Sequence, residues 1–242
     1  MMPSLYTLVI LFIFPLMGGI LAYYTHKEWK KTIKLFISFS GAFLFSITLL
    51  NFIPEVYGHS SSAGYWVLGG FLFQVLIERL THGVEHGHEH SHIKNIAPLF
   101  LGLSIHAFLE GIPVGSSSIG DNNIKNGLLY GVALHEMPAA FVLVLTLKNK
   151  IKSTKIFKWI LFYALICPLG AWVGFSVENA EKGHELIQPL LAFVTGTFLH
   201  ISTTILFENS EDHKMSFQKV FAVLIGAILA ILTGLMGSHH IH

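Results

Sequence analysis

The chain has 242 residues, of which 52% are hydrophobic and 12% charged, with a formal net charge of +1. A soluble domain carries roughly a quarter charged residues, so this composition points to a membrane protein. The near-zero charge excludes a nucleic-acid or strongly acidic partner, and a single cysteine, Cys167, excludes an intrachain disulfide.

A membrane-crossing helix needs about 20 mostly apolar residues. Eight stretches are read as spans: residues 5–24, 35–54, 64–77, 96–119, 126–147, 159–177, 186–207 and 220–236. The first lacks the basic leader and small-residue cleavage site of a signal peptide, and is read as a helix. The third is the shortest, with Glu78 and Arg79 expected at its inner end. Loops 1–2, 3–4, 5–6 and 7–8 hold thirteen Lys and Arg residues, including Lys27, Arg79, Lys94, Lys148 and Lys219. The opposite side holds Lys125 and Lys182. Basic loops stay in the cytosol, so both termini are expected outside. The chain is expected to be one eight-helix domain over 1–242 in a cell membrane, inner or plasma, with a cytosolic loop at 81–93.

Pro15, Pro113, Pro138 and Pro168 fall inside spans 1, 4, 5 and 6, whereas Pro54 and Pro189 fall at span ends. An interior proline deprives the carbonyl one turn back of its hydrogen bond; here those carbonyls belong to Leu11, Leu109, Leu134 and Ala164. In lipid such a break is tolerated where something else satisfies the backbone, and broken helices at mid-depth are common at transporter sites.

The same spans carry buried polar residues. By helical rise, His106 lies about 15 Å from the cytosolic end of span 4, Glu110 about 21 Å, and His135 of span 5 about 18 Å. His106 and Glu110 are one turn apart on one helix face, while Glu136 points about 100° away from His135. Ionisable groups at this depth are costly and are by default functional. Imidazole with carboxylate, without a thiolate cluster, suits a divalent transition metal such as Zn²⁺. The alternative for the same residues is a hydrogen-bonded His–Glu network that only joins two helices.

Between spans 3 and 4, "THGVEHGHEHSHI" carries His82, His86, His88, His90 and His92. Such a tract binds metal through exchangeable imidazoles.

Taken together, these motifs resemble the ZIP (Zrt/Irt-like) family of metal-ion transporters. His106-Ala107-Phe108-Leu109-Glu110-Gly111 resembles the family's His-x-x-x-Glu-Gly core in span 4, and His135-Glu136-Met137-Pro138 its span 5 motif. Cys167-Pro168-Leu169-Gly170-Ala171, Asn51-Phe52-Ile53-Pro54-Glu55 and Gly196-Thr197-Phe198-Leu199 resemble its elements in spans 6, 2 and 7. The resemblance implies an all-α polytopic fold in a 3+2+3 arrangement, with helices 1, 4, 5 and 6 as a mobile transport unit. Helices 2, 3, 7 and 8 would form a scaffold that makes a homodimer.

The implied activity is import of Zn²⁺, or of Fe²⁺, Mn²⁺ or Cd²⁺, by alternating access, with no organic cofactor and no enzymatic step. His106, Glu110 and His135 would hold the ion, with Glu136 auxiliary and Cys167, His200 and Asn51 as further ligand or pathway candidates. The sequence departs from the family where Ala107, Ala139, Cys167 and Asn51 stand in place of common polar ligands, which implies one ion rather than two. A rival reading is an intramembrane zinc-dependent hydrolase, since His135-Glu136 resembles the start of H-E-x-x-H. Ala139 stands where the second histidine is needed.

Overall fold

The computed structural model describes residues 3–25, 30–81, 96–117, 119–120, 122–148, 150–180, 183–208 and 216–237. The five loop histidines, His82 to His92, lie outside the described residues. Among the described residues all regular structure is helical: α1 (Leu5–Tyr24), α2 (Lys30–Ile47), α3 (Ile53–His59), α4 (Ala63–Thr81), α5 (Ile96–Val114), α6 (Asn122–Lys148), α7 (Ser153–Glu178), α8 (Gly183–Glu208) and α9 (Phe217–Gly237). A π-helical turn over Thr48–Phe52 joins α2 to α3, so these pieces form one rod and the nine helices make eight rods. Six rods are long and apolar enough to cross a membrane; α4 and α9 complete the eight.

Several span boundaries differ from the sequence reading: the fourth span ends at Val114 rather than 119, the fifth starts at Asn122 rather than 126, and the sixth starts at Ser153 rather than 159. The second span continues past Pro54 to His59. Pro54 has no N–H to offer Leu50, and the π turn accommodates the fault: the Ile53 N–H bonds back five residues to the Thr48 carbonyl. The third span is 19 residues long rather than 14. Hydropathy missed its last inner turn because it holds Glu78 and Arg79. Gln74 is fully buried, and Glu78 reaches His200 of α8 at 3.3 Å. Pro189 is inside α8, not at its end, because that helix begins earlier, at Gly183.

The helices pair unequally. The most extensive contacts join α1 with α6, α5 with α7, α4 with α8, and α2 with α9. The first two pairs are further joined by α1 against α7, and the last two by α2 against α8. Spans 1, 4, 5 and 6 therefore pack mainly on one another, as do spans 2, 3, 7 and 8. Pro15, Pro113, Pro138 and Pro168 are all inside helices of the first set, but Pro189 inside α8 breaks the expected correspondence between prolines and partition.

Small residues set these crossings. A Cβ on Gly111 of α5 would lie 2.2 Å from the Cys167 carbonyl oxygen of α7, and one on Gly115 would lie 1.8 Å from that of Ala171. In return, Cβ atoms on Gly170 and Gly174 of α7 would meet the Phe108 and Ile112 carbonyls at 2.1 and 1.8 Å. Two Gly-x-x-x-Gly faces thus interlock, allowing the close backbone approach that drives helix association in lipid. The other crossings follow the same rule: Gly18 of α1 meets Met137 of α6, and Gly70 of α4 meets Phe193 of α8. α1 and α6 are also tied at both ends. The Tyr6 and Tyr130 hydroxyls lie 2.6 Å apart, and Lys148 Nζ donates to the Ala22, Tyr23 and Thr25 carbonyls at 2.9–3.2 Å, capping the C-terminus of α1. The outward surfaces of α1, α4, α7 and α9 carry a broad apolar coat including Leu21, Leu72, Phe162 and Leu229, which suits contact with lipid.

Candidate metal centre

α5 and α6 bring His106, Glu110 and His135 together in the interior of the first helix set. His106 and Glu110 are one turn apart, and their side chains meet at 2.9 Å, Nε2 to Oε1. His135 approaches from α6, with its Nε2 3.3 Å from His106 Nε2 and its ring perpendicular to that of His106 at 5.5 Å between centroids. One ligand atom from each residue falls within 4.8 Å of the others.

These distances have a chemical meaning. Zinc bonds to nitrogen and oxygen run about 2.0–2.1 Å, which puts neighbouring donors of a tetrahedron about 3.3 Å apart. The His106–His135 separation fits that edge, and the three donors, all within 4.8 Å of one another, would draw inward by up to about 1.5 Å to close on an ion. Two imidazole nitrogens facing each other at this distance need a proton or a cation between them, since two lone pairs repel. Glu110 is 0% exposed. A carboxylate that deep is tolerated only when a cation or strong donors compensate it.

Glu136 stands outside the three-residue group. It is fully buried, but it faces α7, where the Tyr163 hydroxyl donates to Glu136 Oε2 at 2.8 Å. The divergence follows from helical geometry, because residues one apart point about 100° apart. Cys167 is buried in α7 and also stays outside the group; its carbonyl packs against Gly111. His200 belongs to the other helix set. Its ring meets the edge of Phe71 at 4.9 Å, and its Nε2 pairs with Glu78. Asn51 lies in the π turn and lines a depression near the end of α3.

Two polar residues escaped the sequence reading. Tyr163 is one turn before Cys167, and its hydroxyl was hidden in an aromatic-rich span. Glu178 ends α7 just beyond the expected span, and is almost fully buried. It accepts from the Ser117 N–H at 2.7 Å and from the Ser117 hydroxyl at 3.0 Å, closing the end of α5 onto α7. The small-residue run from Gly115 to Ser118 was the available signal for that clasp.

Comparison with known proteins agrees with this architecture. The sequence model of the ZIP zinc transporter family matches residues 96–234, more than half of the chain. An uncharacterised protein of Methanocaldococcus jannaschii is 26% identical over 233 residues, covering 91% of this chain and 94% of that protein. The zinc transporter ZupT of Chlorobium phaeovibrioides is 24% identical over 240 residues, 88% of this chain and 90% of its own. Zinc transporter ZIP1 of Takifugu rubripes is 29% identical over 140 residues, 56% of this chain and 46% of the relative.

Proposed function

The chain belongs to the ZIP zinc transporter family, and from that membership we propose that it imports a divalent metal ion, Zn²⁺ foremost, through His106, Glu110 and His135. Membership makes it a multi-pass membrane metal transporter and not an enzyme. The hydrolase alternative has nothing in its favour, since Ala139 supplies no ligand.

The observation that carries the assignment is the buried three-residue group held between helices of one packing set. In the proposed cycle the set that holds the three donors, α1 with α5, α6 and α7, moves against α2, α4, α8 and α9, exposing the group to each side in turn. Thirteen basic residues on the loops of one side support cytosolic placement of those loops, with both termini outside. The second set serves as the scaffold and as the contact surface of a homodimer. Fe²⁺, Mn²⁺ and Cd²⁺ have the same ligand preferences in part and are the competing cargoes.

The centre holds one ion. Its three donors leave a fourth position for a backbone carbonyl or water, and Glu136 is engaged by Tyr163. Alanine at 107 and 139 offers no donor for a second ion. With one carboxylate and two neutral imidazoles, a bound dication retains net positive charge, which favours release over storage.

The test is uptake into proteoliposomes with several ions in competition. His106→Ala and Glu110→Ala are expected to abolish uptake while the protein inserts and elutes as a folded species. Wild-type uptake by either folded variant would remove that residue from the pathway.

A further inference from the structure

Lysines gather where α7 begins. Lys150, Lys152, Lys155 and Lys158 fall within nine residues, and no Asp or Glu occurs between Glu136 and Glu178. The other basic loops interleave acids with their lysines: Glu28 in the first, Glu85 and Glu89 in the second, Glu211 and Asp212 in the last. The net charge of +1 is therefore an average that conceals one local excess. Lys148 is not part of it, because its Nζ caps α1. The four lysines are exposed or half-buried, and none pairs with a carboxylate among the described residues.

The stripe they form runs into the apolar coat of the molecule. Residues three, four and seven apart share a helix face. Lys158 is followed at those spacings by Leu161, Phe162 and Leu165, which are 40%, 59% and 43% exposed, and Lys155 stands seven residues before Phe162. The opposite face holds Ile156, Ile160 and Tyr163, all buried. α7 has 26 residues, about 39 Å at its helical rise. That exceeds a hydrocarbon core of about 30 Å, so its first turns stand in the headgroup layer. Lysines placed there lay their stems along apolar surface and hold their ammonium groups among the phosphates. Local preference runs the other way. A helix start favours acidic residues, yet α7 has none in its first turn, and Lys152 at its N-cap makes no side-chain capping bond. Negative charge from outside the chain offsets that arrangement.

We propose that Lys150, Lys152, Lys155 and Lys158 form a binding surface for the headgroups of anionic phospholipids in the leaflet that meets the start of α7. Lysines clustered just beyond a spanning helix attract such lipids, each by about fivefold. A soluble acidic protein fits less well, because the stripe is bordered along the helix by bilayer and not by water. α7 belongs to the set that holds the central group, so the contact anchors that set at one membrane face. That the leaflet is the cytosolic one rests on the orientation proposed above; the binding itself does not.

The test titrates the full chain in detergent with phosphatidylglycerol and, separately, with phosphatidylcholine, counting bound lipid by native mass spectrometry. The wild type should bind phosphatidylglycerol about tenfold more tightly or better, and raising the salt from about 0.1 to about 0.5 M should weaken that preference. Lys150→Gln, Lys152→Gln, Lys155→Gln and Lys158→Gln together should remove it, while Lys→Arg at the same four positions should keep it. Should the fourfold glutamine variant not fold, Lys155→Gln with Lys158→Gln decides, with a loss of about tenfold expected. Equal affinity of the wild type for the two lipids, or a preference that survives the glutamine changes, overturns the inference. So does a polyglutamate peptide that binds as tightly as phosphatidylglycerol, since the surface would then answer to charge without a bilayer. None of these results depends on uptake, so a protein that binds the lipid and fails to move Zn²⁺ overturns the transport reading alone.

Discussion

Gly111→Ala tests whether helix packing holds the central group in shape. An added Cβ would stand 2.2 Å from the Cys167 carbonyl oxygen and 3.0 Å from the Ala171 nitrogen, where ordinary contact begins at 3.4 Å. The deficit is about 1.2 Å, and both obstacles are backbone, so no side-chain rotation relieves it. α5 and α7 must part, and the four-glycine interlock then loses contact along its length. Overpacking of this kind costs about 3 kcal/mol, at the upper end of the usual range. The displaced helix carries both His106 and Glu110, whereas His135 is on α6. A shift of about 1 Å therefore spreads donors that now lie close to the edge length of a zinc tetrahedron. The expected outcome is a lower melting temperature in detergent and uptake reduced by about tenfold or more, given that misplacement of 1 Å can cost roughly a hundredfold in a positioned site. Gly58→Ala is the control. Nothing lies within 4 Å of its added Cβ, and alanine favours a helix over glycine by roughly 0.5–1 kcal/mol, so this variant should melt no lower than wild type. Gly111→Ala protein with wild-type melting and uptake would refute the packing argument.

Tyr163→Phe removes the hydroxyl that donates to Glu136 Oε2 and is expected to destabilise the protein by about 1–3 kcal/mol, the loss of a buried hydrogen bond to a carboxylate; an unchanged melting temperature would show the contact to be idle. Replacing His86, His88, His90 and His92 together should lower uptake only modestly, because a tract of exchangeable imidazoles concentrates metal without forming the pathway. Complete loss in that variant would make the loop a gate. Ala139→Glu should raise the metal count at the membrane centre from one to two, read by anomalous diffraction; two ions already present there in the wild type would overturn the single-ion reading.

The central group was legible because its signal is local. His106 and Glu110 are one turn apart on one helix, and an ionisable pair stands out against an apolar background. His135 was legible by depth alone. The partition into two helix sets was legible only in part through proline: four interior prolines fall in the first set, but Pro189 lies inside α8 of the second. What escaped was relational. Hydropathy undervalued α4 because Gln74 and Glu78 lower its average, although both are accommodated against neighbouring helices. The same blindness hid Glu178, whose two bonds come from Ser117, sixty-one residues away. The interlock of Gly111 and Gly115 with Gly170 and Gly174 needs two helices to be seen at once, since glycine is frequent in membrane helices and marks a crossing only when its partner is known.

The prolines and the polar residues are adjacent in the chain, and this explains why they share helices. Pro113 leaves the Leu109 carbonyl without its usual helical donor, next to Glu110. Pro138 does the same for Leu134, next to His135, and Pro168 for Ala164, next to Tyr163. Each of these three prolines thus frees an acceptor beside a residue of the centre or of its Tyr163–Glu136 flank. In hydrocarbon an unsatisfied carbonyl is tolerated only where protein, water or an ion reaches it. A passing cation at mid-depth meets that condition, and its fourth ligand is then available from the backbone. Pro15 and Pro189 interrupt α1 and α8, which carry none of the three donors, and Pro54 is absorbed by the π turn, so the adjacency of break and donor is a property of α5 and α6, with α7 at their flank.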